Sequence, residues 1–449
     1  MKLRRHMIIL FGVLILASGA FASPAHASTS IWANAEIRGV LPTENPFFLR
    51  GEEMRFVLSL EGVEGDIPPD TYFIDWERRG DDGVAMRGRL PLPLETNAFP
   101  IVTRMNIPGF VCVEANVVTA DGKKVPKNHR WEKRVFFQGG AAVEPWKLKS
   151  AVAPTDFDEF WSEARTKLDE VPMEVMEMRR CPAGKDVDIY AVKVSCPGPH
   201  PMTGYLTVPR KDGKEVKYPA TVWFAGAGTT PQEMPTNGPA DRIRLSVNTQ
   251  GYDLGREQAY YDVFFKTVCP HGCPYGQCSE QNKSRYTTFF YGMAMRAIRA
   301  VDYVSAMTNC NGVVCVEGGS QGGFQAAIAA AHAKQTPSKL QISIPWGLDW
   351  SGMTVGRLPS TYRPGGYEPE LDYYDPCLHA KHVKCPVEIS KVGLGDYVSP
   401  PSSITVFYNN LSVPRQIRYV QGSTHGWWPK GVQSCVFTNA LTAVSASQR

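Results

Sequence analysis

Between Asn311 and Ala333 the sequence reads NGVVCVEGGSQGGFQAAIAAAHA: an apolar, valine-rich run, then four glycines around Ser320, then an alanine-rich tail. The first part favours a buried strand and the last a helix, since valine packs well on a pleated surface and alanine loses least on entering a helix. A strand that becomes a helix at a single serine leaves almost no room at the corner. Side chains on the flanking residues would strike the strand or the first helical turn, so glycine at 318 and 322 is what such a turn requires. The pattern G-x-S-x-G after a strand predicts a serine lifted to the top of a mainly parallel sheet, with the positive end of the next helix aimed at the same place. No Gly-Lys-Ser/Thr follows, which excludes a phosphate-binding P-loop.

The C-terminal two thirds of the chain has the alternation that such a sheet needs. Strand-like DIYAVKVS, TGYLTVP, YPATVWFAG and RLSVNTQG precede the helical run YTTFFYGMAMRAIRAVDYVSAM. After Ser320 come KLQISIPW, PVEISKVG and RQIRYVQG, with helices expected after Pro401 and near Val436 to Ala446. This predicts an α/β class, the α/β-hydrolase fold, with a mostly parallel sheet and helices on both faces. Upstream, EMRFVLSL, TYFIDWER, FVCVEANVV and WEKRVFFQ alternate with turn clusters such as GVEGDIPPD and RRGDDG. They predict a small all-β, immunoglobulin-like sandwich with Trp76 central and Cys112 lacking a partner for an inter-sheet bridge. GGAAVEPWKLKSAVAP reads as a connector, and TDFDEFWSEARTKLDEV opens a helix with Thr155 as its cap. The expected organisation is a signal peptide at 1–27, the sandwich at 28–140 and the α/β domain at 141–449.

The leader has a basic head (Lys2, Arg4, Arg5), an apolar run from Met7 to Leu16 that is too short to span a bilayer, and small-residue sites ending at Ala22 and Ala27. It reads as a cleaved secretory signal, placing the mature chain in the periplasm or outside the cell. Three basic and no acidic residues leave with it, so the formal charge of +4 becomes +1, and nothing calls for nucleic acid as a partner. No later apolar run is long enough for a membrane span. Eleven cysteines remain, so disulfides are permitted and at least one thiol is unpaired. CPHGCPYGQC, with Cys269, His271, Cys273 and Cys278, fits no common zinc spacing and reads as a stapled loop. No metal or cofactor is expected.

A serine hydroxyl becomes a useful nucleophile only when a histidine takes its proton and a carboxylate orients that histidine. On this fold the chain order is serine, acid, histidine. Of the four histidines after Ser320, His332 lies on the next helix and reads as a surface residue, while His379 and His382 in CLHAKHVKC read as solvent-facing. His425, in GSTHGWW directly after the last predicted core strand, is the candidate base. Asp396 in KVGLGDYVSPP ends the strand before it and is the favoured acid; Asp349 in SIPWGLDW also follows a strand and is its rival. Asp372 and Asp375 read as helix caps. For an oxyanion hole, the backbone N–H of Gln321 and that of Ala227 in VWFAGAGTT are the candidates, because small residues let the backbone approach a substrate closely.

At these residues the chain resembles the acetyl xylan esterase and cephalosporin C deacetylase group, carbohydrate esterase family 7, from PTDFDEFW to the C-terminus. The likeness is most specific at EGGSQGG and at YYDPCLHAKHVKCPVEISKVGLGDYVSPPSS. It implies Ser320 as nucleophile, Asp396 as acid and His425 as base. Two departures stand out: in NTQG, Gln250 and Gly251 keep the family pattern but Asn248 replaces its arginine, and Gly426 stands where the family has glutamate. Both touch the pocket rather than the triad. The sandwich and the cysteine-rich loop are additions to the family pattern, so ring-like oligomers are not assured.

The expected activity is removal of acetyl groups from an acetylated oligosaccharide or polysaccharide, with Gln250, Tyr252 and Trp427 as substrate-binding residues. Trp428 reads as loop core, and Tyr397 as a ring beside the cleft. The competing readings are a glycan-binding protein with a non-catalytic hydrolase shell, a peptidase, and a general carboxylesterase on the same fold. A binding module needs no complete Ser, Asp and His set, and no acidic pair is placed to recognise a peptide amine.

Overall fold

The structure is a computed structural model describing residues 30–127, 133–182, 184–210, 216–228, 232–268, 276, 278–362 and 366–441. The expected signal peptide, Cys269, His271 and Cys273 lie outside the described residues.

Eight strands come first: β1 Glu36–Val40, β2 Phe47–Phe48, β3 Met54–Glu61, β4 Tyr72–Gly80, β5 Ala85–Pro91, β6 Ala98–Thr103, β7 Gly109–Thr119 and β8 Phe136–Val143. They form a three-stranded sheet, β1-β3-β6, and a five-stranded sheet, β2-β8-β7-β4-β5. Setting the first, third and sixth strands against the others is the immunoglobulin-type division. Alternation along the strands fills the space between the sheets with Ile37, Phe56, Leu58, Ile74, Ile101, Val113, Ala115 and Phe137. Cys112 faces away from that core with a free thiol.

The remaining strands are β9 Val175–Arg180, β10 Val187–Val194, β11 Met202–Pro209, β12 Tyr218–Phe224, β13 Ile243–Asn248, β14 Cys310–Gly319, β15 Lys339–Ser343, β16 Val387–Gly393, β17 Arg415–Val420 and β18 Ser434–Thr438. They make one sheet in the order β18-β17-β16-β15-β14-β12-β13-β11-β10-β9. Its centre, from β13 to β17, is parallel, and both flanks are antiparallel. The helices are α1 Phe157–Glu170, α2 Gln258–Val268, α3 Ser279–Asn282, α4 Phe289–Ser305, α5 Gln321–His332, α6 Pro376–His379 and α7 Pro401–Asn410.

One face of the central strands presents Val222, Phe224, Val316, Leu340, Ile342 and Ile389 to Ala297, Ala300 and Val301 of α4, Ala326, Ala327 and Ala330 of α5, and Ile404 and Phe407 of α7. The alanines let α5 lie close against the sheet while α4 covers it, which is why the tail after Ser320 is almost all small residues. On the opposite face, Tyr261 and Phe264 of α2 pack on Ile189, Ala191 and Tyr205 of β10 and β11.

The helix expected near the C-terminus is instead β18 over its first residues. SCVFT is short, rich in β-branched and aromatic residues, and completes the open edge of β17 by antiparallel pairing. Sequence periodicity could not register that free edge.

The two β-rich regions are joined by apolar contacts. Phe47 stacks on Phe437 with ring centroids 4.7 Å apart and meets Tyr419 edge-on at 5.1 Å, and Phe110 belongs to the same cluster. Each such buried ring contributes about 2–3 kcal/mol. The Gln421 side-chain amide accepts from Gly140 N and donates to Gly140 O, both at 2.9 Å. Asp81 accepts from Phe110 N at 2.8 Å and from Leu358 N at 2.7 Å.

Candidate active site

Ser320 sits between β14 and α5 with φ 54° and ψ −126°, a conformation that costs an L-residue energy and persists only where the surroundings enforce it. The enforcement is visible around it: Ser320 N donates to Ser343 O at 3.0 Å, and Ser320 O accepts from Gly323 N at 2.9 Å and Trp346 N at 3.0 Å. A Cβ on Gly318 would lie 2.2 Å from Gly322 O, and one on Gly322 would lie 2.1 Å from Phe224 O. Both glycines are there because strand, turn and helix backbones touch.

The hydroxyl oxygen of Ser320 lies 2.9 Å from His425 Nε2, and His425 Nδ1 lies 2.8 Å from Asp396 Oδ2. A carboxylate only accepts, so Nδ1 carries the proton and Nε2 is left to accept from the serine hydroxyl. Asp396 follows β16 and is 1% exposed; its second oxygen accepts from Val398 N at 3.0 Å and Ser399 N at 2.9 Å. These two amides hold one carboxylate oxygen while the other faces the histidine. His425 lies in the loop after β17, so the three groups come from the C-terminal ends of three parallel strands.

Asp349 is elsewhere. It pairs with Arg357 at 2.5 Å and is buried enough to raise its carboxyl to about 6 against the pull of that guanidinium. Asp375 caps α6 through Cys377 N and also accepts from the amides of Asp349 and Trp350.

Gln321 is the first residue of α5, directly after Ser320. The loop Ala225–Gly228 crosses nearby: a Cβ on Gly226 would be 3.7 Å from Ser320 Cβ. Gly226, Ala227, Gly228, Asn248, Gln250 and Tyr252 line one cavity of about 390 Å³. Asn248 ties its floor together, donating to Thr203 Oγ1 at 2.9 Å and Tyr252 O at 3.0 Å while accepting from Gln250 N at 3.0 Å. Tyr252 is 3% exposed, its ring packed edge-on against Tyr261 and its hydroxyl accepting from Gln232 N; it closes the cavity from beneath and offers no free ring face.

Several aromatic and histidine expectations are corrected. Tyr397 turns away from the cleft into the sandwich contact, fully buried beside Cys112. Trp427 is half-buried, and Trp428 is 47% exposed rather than core. His379 is fully buried, its Nδ1 2.8 Å from His332 Nε2 and its Nε2 3.0 Å from Tyr373 O. Trp161 stacks on His332 at 4.4 Å. The polar stretch CLHAKHVKC hides this pair because α6 turns it inward under α1. Among the described residues the nine cysteines are free, and no cluster of metal-ligating side chains occurs.

Lys391 was not picked out by the sequence reading. It is buried at 6% exposure and donates to the carbonyls of Thr424 at 3.1 Å and Trp427 at 3.2 Å. The available signal is its place in VEISKVG, a strand five residues ahead of a candidate acid.

The parallel sheet, the strained serine turn and the sheet-end placement of its partners define an α/β-hydrolase fold. Residues 146–363, just under half of the chain, match the acetyl xylan esterase family. It is similar to acetyl esterase Axe7A of Xylanibacter ruminicola, 28% identical over 278 residues, covering 59% of this chain and 61% of that protein. The fold is similar to that of an acetyl xylan esterase from Paenibacillus sp. R4, with TM-score 0.52, 19% identity, and coverage of 63% of this chain and 93% of that one. Acetyl xylan esterase 1 from Thermoanaerobacterium sp. JW/SL YS485 gives TM-score 0.52 and 20% identity, with 64% and 94% covered. Asp396 and His425 lie beyond the segment that matches the family.

Proposed function

We propose that this chain is an exported serine esterase that removes acetyl groups from carbohydrate by acyl transfer through Ser320. The observation that carries the reading is the unbroken run of contacts from Ser320 Oγ through His425 to Asp396, at 2.9 and 2.8 Å. As Ser320 Oγ attacks the acetyl carbonyl, its proton passes to His425 Nε2, and Asp396 stabilises the imidazolium and holds its tautomer. The oxyanion of the tetrahedral intermediate is met by the N–H groups of Gln321 and Ala227. The Nε2 proton then goes to the departing sugar oxygen, leaving acetyl on Ser320. Water, deprotonated by the same histidine, releases acetate and restores the hydroxyl. The family match and the similarity to named acetyl esterases support acetyl as the acyl group, and Gln250 and Trp427 are placed in the reading at the sugar side. The expected signal sequence supports export, and no helix among the described residues is long and apolar enough to cross a membrane.

The test is acetate release from a panel of acetylated oligosaccharides beside p-nitrophenyl acetate. Release from both is expected. Turnover of the activated ester alone would replace the carbohydrate reading with that of a general carboxylesterase.

A further inference from the structure

The turn that carries His425 is fastened from below by a buried ammonium. Trp427 N donates to Thr424 O at 3.4 Å, closing a β-turn with His425 and Gly426 at its two central positions. Lys391, on β16, reaches up into that turn and donates to Thr424 O at 3.1 Å and Trp427 O at 3.2 Å, the carbonyls that bracket the histidine. Ser423 Oγ donates to Trp427 O at 2.6 Å. The ring of Trp428 lies 5.8 Å from Lys391 Nζ, within reach of a cation–π contact.

A charge in this position is costly. Burial disfavours the ammonium and lowers its proton affinity, with Asp396 opposing that effect. Methionine has nearly the same length and would fill the space without the desolvation cost. A neutral side chain cannot, however, grip two carbonyls at once. Those carbonyls fix where the histidine backbone sits and hence whether Nε2 reaches Ser320 Oγ, and an error of about 1 Å there lowers a rate by about 10².

We propose that Lys391 is a positioning residue for the base: its ammonium clamps both ends of the Thr424–Trp427 turn and so holds His425 against Ser320. The inference rests on the reading of Ser320, His425 and Asp396 as the reacting set.

The experiment compares wild type, Lys391→Met, Lys391→Arg and Ser423→Ala. The measurements are the rate of Ser320 phosphonylation by a fluorophosphonate probe, kcat and KM for p-nitrophenyl acetate, and the thermal midpoint. Lys391→Met is expected to melt at or above the wild-type temperature, keep KM within about two-fold, and lose about 10² in kcat and in labelling rate. Lys391→Arg, which restores a donor cation, should regain at least part of both rates. Loss of rate in step with loss of thermal stability would reduce Lys391 to a structural role and overturn the proposal. Wild-type labelling in a folded Lys391→Met would overturn it too. If that variant does not fold, Ser423→Ala decides: it removes one tether of the same turn and should slow labelling several-fold at nearly unchanged midpoint, and an unchanged rate refutes the clamp. A wild-type protein that the probe does not label at all refutes Ser320 as the nucleophile, a result distinct from any of these.

Discussion

Replacing Gly395 by alanine tests how the sandwich region and the acid loop depend on each other. A Cβ at residue 395 would stand 1.9 Å from Gln138 O and 2.4 Å from its carbonyl carbon. Both are backbone atoms, so no side chain can rotate away, and the two segments must part by about 1 Å to reach an allowed contact. Gln138 is fixed within β8 by its pairing with Glu114 of β7. The yielding side is therefore the acid loop, where Gly395 N donates to Ser423 O and Asp396 N to Gly393 O, each at 3.0 Å. Overpacking of this kind costs about 1–3 kcal/mol of stability. The same displacement carries Asp396 Oδ2 away from His425 Nδ1, and a shift of about 1 Å in a reacting set costs about 10² in rate. The assay is kcat for p-nitrophenyl acetate beside the denaturant midpoint, with Gly395→Ala expected to lower both. A folded variant with wild-type kcat would refute the idea that β8 fixes the acid.

Asp396→Asn should lower kcat by about 10⁴, as loss of a triad carboxylate does, whereas Asp349→Asn should cost stability by unpairing Arg357 and leave kcat within about ten-fold; kinetics on the two variants checks the assignment. Burial holds His379 well below its usual range and His332 at about 3, so below about pH 6.5 the unfolded chain takes up protons that the folded chain refuses. Stability is complete above pH 6.5 on this account and falls on acidification by about 1.4 kcal/mol per pH unit for each histidine. The buried acids Asp81, Asp349 and Asp375, raised to about 6, 6 and 7, act oppositely, losing stability as pH rises from about 4 toward 7. The check is therefore the stability gap between wild type and His332→Gln from pH 6 to pH 4, which should shift toward the variant by about 1.4 kcal/mol per unit; a constant gap refutes it. Across an acyl series at fixed leaving group, acetyl should exceed propionyl by the about 1–3 kcal/mol that one methylene is worth and octanoyl should be nearly inert; an optimum at six carbons or more contradicts an acetylesterase pocket.

The α/β-hydrolase fold was legible because it is written locally: valine runs, a glycine-bounded serine, and an alanine tail each specify their own element and agree with one another. Ser320, Asp396 and His425, chosen by the glycine-bounded turn, by their places after strands and by chain order, come within hydrogen-bonding distance in the structure. What stayed hidden depends on partners distant in sequence. Only its place in VEISKVG marks Lys391 until the loop after β17 is laid over it, and Tyr397 reads as a cleft residue until β7 is placed against it. The buried His332–His379 pair looks polar in sequence because burial is decided by α1, whose Trp161 covers it. β18 is a strand because β17 offers an edge, a fact of topology rather than of composition.

The central claim, acyl transfer through Ser320 with His425 as its base, is tested most directly by kcat for acetyl ester hydrolysis in Ser320→Ala, His425→Ala and the double variant. Groups that act as one unit lose their effect together. Each single variant should therefore lower kcat by about 10⁴ or more, and the double should be no slower than Ser320→Ala alone. Near wild-type turnover in either single variant, or a double-variant loss equal to the product of the two single losses, would contradict it.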